Sequence, residues 1–513
     1  MENGEILVID LFAGPGGLGE GVSAAKTEDG KSPFQIGISV EKDFHAHKTL
    51  TTRAFFRTLK KKSQPLDNYY NYLHGKITRD ELFELHPDIA TEANQETLNG
   101  AKELGKDNKL IHERIKELVK KHKGPKVLIG GPPCQAYSLA GRSRNAGNKS
   151  YIAEEDTRHF LYKEYLEVIC LAKPDIFVME NVRGILTAKV NGQVMFPQIL
   201  EDLRSPGSVA NHKKIPKYNI YSLVVDAESP ENPQYKDPAD FLIRCEQYGI
   251  PQARHRVILL GVREDIKATP ETLKPCEHQV TVEQAISDLP SLRSGFSKQK
   301  DNAKDWEAAV AKNADKLKQI LTNQFDPESA NSLNLQPKIG LSRIETVLSD
   351  KTPAMPEPLI AWYIDPNLNA VLNHETRGHM VDDLLRYAYC AAYAQIKGSS
   401  PKSRHFPQEL APAHANWDTG THADRFRVQV ADKYATTVTS HISKDGHYFV
   451  HYDPQQCRSL SVREAARLQT FPDNYIFEGT RTNQYVQVGN AVPPYLAQQI
   501  GQVIINFLLQ SER

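Results

Sequence analysis

A cysteine at position 134 stands where a buried strand would meet a rigid turn. The apolar run at residues 126–129 is followed by two glycines and two prolines at 130–133, and then by Cys134. Such a run is typical of a strand that stops at a turn whose proline φ angles are fixed. In open α/β sheets, ligands and reactive groups collect at the carboxyl ends of the strands. The segment alone leaves two readings open: the thiol is a nucleophile, or it is an inert packing group, as buried free cysteines commonly are.

A carboxylate and a row of donors favour the nucleophile. Glu180 ends a second buried run much as Cys134 ends the first, and side chains at one edge of a sheet can converge on one substrate. Further along, Gln252, Arg254 and Arg256 alternate in a strand-like run, so they are expected to point to one face. Long polar donors are costly inside a core and natural beside an anion or the edge of a base.

The first forty residues carry the pattern of a nucleoside site. A strand-like run at 5–12 leads into the glycine-rich turn at 13–21, and a second strand at 35–40 ends at Glu41. Glycines let a backbone approach a ligand closely, and the helix that follows brings its positive end nearby. An acid about twenty residues beyond such a turn is where nucleoside-binding α/β folds hold the ribose. A tight turn and a solvated glutamate are the alternatives, and the strand-end position favours the ribose.

Other apolar patterns predict the elements that must position these residues. Strands are expected at 174–182, 218–227 and 256–262, helices at 110–122 and 160–172, and a short strand end at 73–78. Beyond residue 264 the alternation fades, and a histidine-rich tract follows that has no metal-ligand spacing. Order returns near the end, where Ser461 and Glu464 form a capping box and a turn at 487–494 leads into a closing helix.

The composition limits the class of protein but identifies no binding partner. The chain has 513 residues, enough for two or three domains. Its 63 basic residues equal its 63 acidic ones, so any nucleic-acid binding must rest on local basic patches. Six cysteines without a Cys-x-x-Cys pair argue against a zinc site and against a disulfide framework. No apolar run approaches the ~18 residues of a membrane span, and no signal peptide is expected.

Taken in order, these segments resemble the 5-methylcytosine DNA methyltransferase family, in particular its bacterial type II modification members. The resemblance is carried by the stretches at 10–17, 130–138, 252–256, 463–472 and 489–494, with Glu41 and Glu180-Asn181-Val182. It covers roughly residues 5–262 and 458–513. It implies a Rossmann-like α/β methyltransferase fold, with a mostly parallel sheet and helices on both faces, plus a smaller, irregular target-recognition domain. The expected units are 1–263, catalytic; 264–456, target recognition with insertions; and 457–513, C-terminal motifs that return to the catalytic domain.

By this resemblance the glycine turn binds S-adenosylmethionine rather than a dinucleotide, with Phe12 on the adenine and Glu41 on the ribose. The residues expected to line the cofactor site are Phe12, Ala13, Gly14, Pro15, Gly16, Gly17, Leu18, Glu41, Lys42, Ile77, Pro133, Leu161, Asn490, Ala491 and Val492. One departure stands out, because Gly75-Lys76-Ile77 replaces the family's Gly-Asp-Ile, whose acid accepts from the adenine amine. Lysine cannot accept that hydrogen bond, so either the matching segment lies elsewhere or adenine is held differently.

The resemblance also implies a mechanism. Carbon 5 of cytosine is a weak nucleophile, so the Cys134 thiolate would add at carbon 6 and activate it. Glu180 would hydrogen-bond N3 and the 4-amino group, and Arg256, with Arg254, would hold the carbonyl oxygen. These contacts do not fit inside a stacked duplex, so the base must be flipped out while the recognition domain grips the DNA.

Double-stranded DNA is therefore the expected partner of a cytoplasmic, metal-free monomer, associated with the nucleoid in a bacterium. The type II likeness leaves open a companion restriction endonuclease. One alternative is a tRNA cytosine-5 methyltransferase, whose family members usually lack a large recognition domain. A second alternative is a catalytically silent DNA-binding homologue, against which the intact Cys134, Glu180 and Arg256 argue.

Overall fold

The computed structural model describes residues 5–133, 158–190, 192–229, 231–412, 417 and 424–511, with the backbone alone at 158–160 and 190. Its strands are β1 (Ile6–Leu11), β2 (Phe34–Val40), β3 (Lys126–Gly130), β4 (Ile176–Val182), β5 (Lys189–Val190), β6 (Gln193–Val194), β7 (Tyr218–Tyr221), β8 (Leu242–Arg244), β9 (Gln252–Ala253), β10 (His255–Arg263), β11 (Gly295–Phe296), β12 (Gly378–His379) and β13 (Ala435–Thr436).

The α-helices lie mostly before β4 and after β10. They are α1 (Gly17–Ala24), α2 (Phe44–Lys61), α3 (Asp67–Leu73), α4 (Arg79–Leu85), α5 (Pro87–Glu96), α6 (Asn108–Lys121), α7 (Arg158–Ala172), α8 (Phe196–Arg204), α9 (Pro206–Val209), α10 (Val282–Ile286), α11 (Ala303–Gln324), α12 (Pro327–Asn331), α13 (Glu357–Tyr363), α14 (Val381–Lys397), α15 (Val462–Leu468), α16 (Arg481–Asn490) and α17 (Pro494–Ser511). Short 3-10 helices lie at Arg183–Thr187, Pro238–Phe241, Cys245–Tyr248, Ser403–His405, Gln408–Leu410, Ser440–Ser443 and His447–Phe449.

The central sheet has the strand order β2-β1-β3-β4-β10-β7, and β8 also pairs with β10. The pairs from β2 to β4 are parallel, whereas β10 runs antiparallel to β4, β7 and β8. The mostly parallel sheet expected from the sequence is thus confirmed, with β10 as its reversed strand. That reversal brings the start of β10 to the edge where β3 and β4 end.

Helices cover both faces of the sheet, because alternate strand residues point to opposite sides. Ile6 and Val8 of β1 pack in a core with α1 and α17. Ile9 and Leu11 of the same strand pack in a second core with α6 and α7. Strands that are buried on both faces read as continuous apolar runs, which is why the sequence reveals them so clearly.

Helices α2 to α5 form a helical insertion around aromatic residues, including Phe55, Phe56 and Tyr69. The strand end expected at 73–78 is wrong. Leu73 ends α3, and Thr78 caps α4 through a capping box with Glu81. Thr and Glu three residues apart are a helix-start signal that outweighs the short apolar stretch before them.

The strand expected at 218–227 is shorter than predicted. β7 stops at Tyr221, because the hydroxyl oxygen of Ser222 accepts from the backbone N–H groups of Val224 and Val225 at 2.9 and 3.0 Å. A side chain that bonds its own following backbone turns the chain out of the sheet.

The region from 264 to 456 is built mainly on α11 and α14, which share a core containing Trp306 and Tyr389. The capping box of Ser461 and Glu464 at the start of α15 is confirmed. In the described ranges, no helix is long and apolar enough to cross a membrane. The same ranges hold no group of three or more His, Cys, Asp or Glu side chains that could bind a metal.

Candidate active site

The turn that leads to Cys134 is held against the end of β4. A Cβ on Gly131 would lie 2.6 Å from Oε2 of Glu180, so a glycine is what lets the turn pass this carboxylate. The side-chain amide of Asn181 donates to the carbonyl oxygen of Pro132 at 3.1 Å. Cys134 itself lies outside the described residues. The backbone just before the cysteine is therefore fixed beside Glu180.

β10 brings Arg256 to the same carboxylate. Arg256 lies opposite Val182 and Ile258 lies opposite Glu180, so the two charged residues stand diagonally on one face of the β4–β10 pair. Nε of Arg256 is 2.7 Å from Oε1 of Glu180, and the two side chains are only 12% and 13% exposed. Nη1 of Arg256 donates to the carbonyl oxygen of His255 at 2.8 Å. An acid and a cation so arranged can offer both an acceptor and donors to a base.

The other two members of the predicted donor row have different partners. Arg254 is 1% exposed, and it donates through Nη1 to the carbonyl oxygen of Val438 at 2.8 Å and through Nη2 to that of Gly489 at 3.3 Å. Burial lowers the pKa of Arg254 to about 9. Gln252 donates to the carbonyl oxygen of Leu468 at 2.7 Å and accepts from the N–H of Val438 at 2.9 Å. The three side chains therefore do not form a single row that faces a substrate.

The glycine-rich turn has the backbone that its sequence predicts. Phe12, Gly14 and Gly16 have φ values of 57°, 57° and 100°, in the left-handed region that glycine favours. A Cβ on Gly17 would lie 2.3 Å from the carbonyl oxygen of Val492, so the turn packs directly on the C-terminal motif. The structure thus joins two parts of the predicted cofactor site from opposite ends of the chain.

The C-terminal motif is tied in turn to β9, the strand that contains Gln252. Ala491 and Val492 are buried, and Asn490 is an exposed residue at the end of α16. The side-chain amide of Gln469 donates to the carbonyl oxygen of Ala491 and accepts from the side chain of Gln252. This chain of buried amides connects the predicted cofactor site with β9, the strand that precedes Arg254 and Arg256.

Glu41 lies at the end of β2, beside the glycine turn. Its carboxylate accepts from the backbone N–H of Gly14 at 2.8 Å and from that of Asp43 at 2.6 Å. Burial raises the pKa of Glu41. Lys42 points outward, where its ammonium lies 3.3 Å from the carboxylate of Glu103. Glu41 is thus fixed by the turn, whereas Lys42 is a largely exposed surface residue.

The remaining predicted cofactor residues surround the same edge of the sheet, with one exception. Ala13 donates to the carbonyl oxygen of Val40 at 3.0 Å, and Leu18 packs inward in the core of the sheet. Pro133 is half-buried at the end of the described turn, and Cδ2 of Leu161 lies 3.4 Å from the position of a Cβ on Gly105. The exception is Ile77, which packs on the aromatic core of the helical insertion.

A segment that the sequence did not single out adjoins Glu41. The N–H of Lys102 donates to the carbonyl oxygen of Glu41 at 2.8 Å. Residues 98–100 just before it all have positive φ, at 62°, 53° and 143°. Non-glycine residues in such backbone cluster at functional sites. The signal in the sequence is the Asn99-Gly100 pair, a turn dipeptide.

The family of the chain follows from comparison with known proteins. A model of the C-5 cytosine-specific DNA methylase family matches residues 92–237 and 239–506. The type II methyltransferase M.Bpa9945I of Bacillus paralicheniformis is 32% identical over 520 residues, covering 97% of this chain and 98% of that protein. The type II methyltransferase M.DdeI of Desulfomicrobium norvegicum is 26% identical over 390 residues, covering 74% of this chain and 72% of that protein.

A solved structure shows the same fold. It is a DNA modification methyltransferase encoded within an E. coli prophage, with a TM-score of 0.52, 20% identity, and coverage of 98% of this chain and 99% of that one. The family match supports DNA methylation over the tRNA-methylating and the catalytically silent alternatives. The chain therefore belongs to the C-5 cytosine-specific DNA methylase family and is a DNA cytosine-5 methyltransferase.

Proposed function

We propose that this enzyme methylates cytosine within one specific duplex sequence, with S-adenosylmethionine as the methyl donor and Cys134 as the nucleophile. The observation that carries the proposal is the 2.7 Å pair of Glu180 and Arg256, standing against the Gly131 turn that leads to Cys134. The type II methyltransferases among its relatives support a role in modification. The methyl groups would then protect a sequence that a companion restriction endonuclease cuts.

The groups around the glycine turn suit S-adenosylmethionine. The turn stands at the start of α1, where backbone N–H groups and the helix dipole favour a carboxylate such as that of a methionine moiety. Each carboxylate oxygen accepts more than one hydrogen bond, so Glu41 can take ribose hydroxyls while it keeps its donors Gly14 and Asp43. When bound, S-adenosylmethionine supplies the electrophilic methyl group.

The donor would be held by residues from six places in the chain. They are Phe12 to Leu18 of the glycine turn, Glu41 with the adjoining residues 97–102, Pro133 and Leu161, and Asn490 to Val492. Residues 97–102 replace Ile77 in this assignment, because they adjoin Glu41 through the Lys102 hydrogen bond. Phe12 offers the flat apolar ring on which an adenine can pack.

The chain's own residues would activate the base. The Cys134 sulfur adds to carbon 6 of cytosine, and the electron pair of the ring double bond moves towards carbon 5. Glu180 hydrogen-bonds N3 and the 4-amino group and supplies a proton at N3 as negative charge builds there. Arg256 holds the carbonyl oxygen and favours the thiolate form of Cys134. After methylation, a base such as a water molecule takes the carbon-5 proton, and the released electron pair restores the double bond to carbon 6. Cys134 leaves as a thiolate, and N3 returns its proton to Glu180.

Arg254 takes a positioning role in this scheme. Its two hydrogen bonds go to the carbonyl oxygens of Val438 and Gly489, so it holds the backbone at these residues rather than the substrate. This assignment differs from the sequence-based expectation that Arg254 shares the carbonyl oxygen of cytosine with Arg256.

Residues 264–456 would form the target-recognition domain, between catalytic segments 1–263 and 457–513. Support comes from the separate core around α11 and α14. β13 in this region pairs with β9, which lies just before Arg254 and Arg256 in the chain, so binding of the DNA can be coupled to the flipped base. We propose that the enzyme acts as a monomer on cytoplasmic, nucleoid DNA.

Bisulfite sequencing of plasmid DNA from cells that express the enzyme tests the proposal. We expect protected cytosines in one sequence context with the wild type and none with Cys134→Ser. Purified enzyme should methylate duplex DNA and leave tRNA unmodified. Full methylation by Cys134→Ser would contradict the assigned nucleophile, and methylation of tRNA alone would contradict the assigned substrate.

A further inference from the structure

A buried tyrosine from the C-terminal part of the chain contacts the glycine turn through its hydroxyl group. Tyr475 is fully buried, and its hydroxyl donates to the carbonyl oxygen of Pro15. A Cβ on Gly16 would lie 2.9 Å from the same hydroxyl oxygen. Gly16 has a φ of 100° and immediately precedes α1. The hydroxyl group thus fills the space where a side chain at Gly16 would lie. It also hydrogen-bonds the carbonyl of Pro15, the residue just before this left-handed glycine.

The ring of Tyr475 is held by the helical insertion. Cζ of Arg53 lies 4.8 Å from the centre of this ring and 4.4 Å from that of Phe56. Nε of Arg53 donates to Glu20 at 2.9 Å, and Nη1 donates to Oδ1 of Asn474 at 2.9 Å. Glu20 lies in α1, the helix whose first residue is Gly17 of the glycine turn. One arginine therefore connects the tyrosine with the helix that follows the turn.

The backbone around Tyr475 is fixed as well. The fully buried Arg463 donates through Nη2 to the carbonyl oxygen of Tyr475 at 2.6 Å and through Nη1 to that of Pro472 at 3.1 Å. The ring also packs between Phe471 and Phe477, with centroid distances of 4.8 and 5.5 Å. A side chain held on so many sides is a rigid support for whatever its hydroxyl binds.

We infer that Tyr475 is a positioning residue for the methyl donor, which holds the Pro15–Gly16 turn in its binding conformation before the donor arrives. The inference rests on the proposed function, because it assigns S-adenosylmethionine to the glycine turn. Tyr475 acts through the turn and not on the reacting atoms. Without its hydroxyl, the free enzyme samples other turn conformations, and apparent affinity falls in proportion to the competent fraction.

Tyr475→Phe tests this, with Tyr218→Phe as the matched control. Tyr218 is also buried, and its hydroxyl also donates to a proline carbonyl, that of Pro174 at 3.0 Å, but Pro174 lies before β4 at the opposite edge of the sheet. Binding of S-adenosylmethionine and S-adenosylhomocysteine is measured by titration calorimetry. Tyr475→Phe should raise both Kd values about fivefold to tenfold, the value of one buried hydrogen bond, and Tyr218→Phe should leave them within about twofold.

Two further readouts separate positioning from general destabilisation. In Tyr475→Phe the KM for S-adenosylmethionine should rise while kcat at saturation and the KM for DNA stay unchanged. Hydrogen exchange in peptides spanning residues 11–21 should be faster than in Tyr218→Phe when no donor is bound. Unchanged Kd values in Tyr475→Phe, or equal shifts in both variants, would overturn the inference alone. A wild-type protein that binds neither compound would overturn the proposed function as well.

Discussion

Replacing Arg254 and Arg256 in turn by methionine should separate two arginines that stand two residues apart. Methionine keeps much of the side-chain volume but removes every N–H donor. In Arg254→Met the carbonyl oxygens of Val438 and Gly489 lose bonds of 2.8 and 3.3 Å to a buried guanidinium. Bonds from charged donors contribute roughly 1.5 to 3 kcal/mol each. The loss is offset in part, because the variant no longer buries a cation whose pKa is lowered to about 9.

The net cost of Arg254→Met should therefore be about 2 kcal/mol of unfolding free energy, a fall in Tm of about 2–3 °C. Arg256→Met breaks an ion pair whose side chains are only 12% and 13% exposed and leaves the Glu180 carboxylate without its cation, so it should also cost about 2–3 kcal/mol of stability. Its cost in catalysis should be about 100-fold or more in kcat, because the carbonyl oxygen of the base loses its cation.

Thermal unfolding followed by circular dichroism measures the loss of stability in both variants. Transfer of labelled methyl groups to duplex DNA, at saturating substrates and well below both Tm values, measures kcat. We expect both variants to lose stability, but only Arg256→Met to lose most of its kcat. If Arg254→Met keeps its Tm but loses as much kcat as Arg256→Met, then Arg254 contacts the substrate and our assignment is wrong.

Three other substitutions test two close contacts of glycines and the burial of a histidine. Gly131→Ala should lower kcat about tenfold or more, because its new methyl group, 2.6 Å from Oε2, displaces Glu180; an unchanged kcat at saturation would contradict this. Gly17→Ala should lower Tm by several degrees, since overpacking costs about 1–3 kcal/mol and its Cβ would meet the carbonyl oxygen of Val492 at 2.3 Å; an unaltered thermal transition would exclude the clash. Burial lowers the pKa of His374 from 6.5 to about 4, so the unfolded chain binds a proton in this window and the folded protein does not. The contribution of His374 to the free energy of unfolding is complete above pH 6.5 and is lost as pH falls towards 4, on the order of 1 kcal/mol per pH unit. His374→Gln should reduce this dependence of unfolding free energy on pH. Equal dependences in the wild type and the variant would refute the role of His374.

Much of the sheet could be predicted from the sequence because its signals are local. β1, β3 and β4 are continuous apolar runs, which is the pattern of parallel strands buried on both faces. The placement of Glu180 beside the turn before Cys134 followed from one rule, that parallel strands end at a common edge. The same rule brought Glu41 next to the glycine turn.

The sequence could not reveal what lies opposite a side chain. Alternation predicts that Gln252, Arg254 and Arg256 share a face, yet Arg254 meets carbonyl oxygens of Val438 and Gly489, about two hundred residues away in the chain. Such long-range backbone acceptors leave no local pattern. The same limit explains why the sequence does not single out Tyr475, since its hydrogen-bond partner Pro15 lies near the other end of the chain.

The helical insertion explains why Ile77 lies away from Glu41. The sequence offers Gly75-Lys76-Ile77 as the matching motif, whereas α3 to α5 delay the return of the chain to β2 until residues 97–102. The hydrogen bond from Lys102 to Glu41 identifies that return in the structure. We expect Asn99→Ala to weaken binding of S-adenosylmethionine and Ile77→Ala to lower stability instead; the reverse pattern in calorimetry and thermal unfolding would restore Ile77 to the site.

The most direct test of the mechanism is to trap the enzyme on its base. In duplex DNA that carries 5-fluorocytosine at the target, fluorine replaces the carbon-5 proton whose loss releases the cysteine, so the adduct persists. With S-adenosylmethionine present, the wild type should form a protein–DNA complex that survives denaturation, and mass spectrometry should locate the bond on the sulfur of Cys134. A complex formed equally well by Cys134→Ser, or a bond to any other residue, would contradict the account.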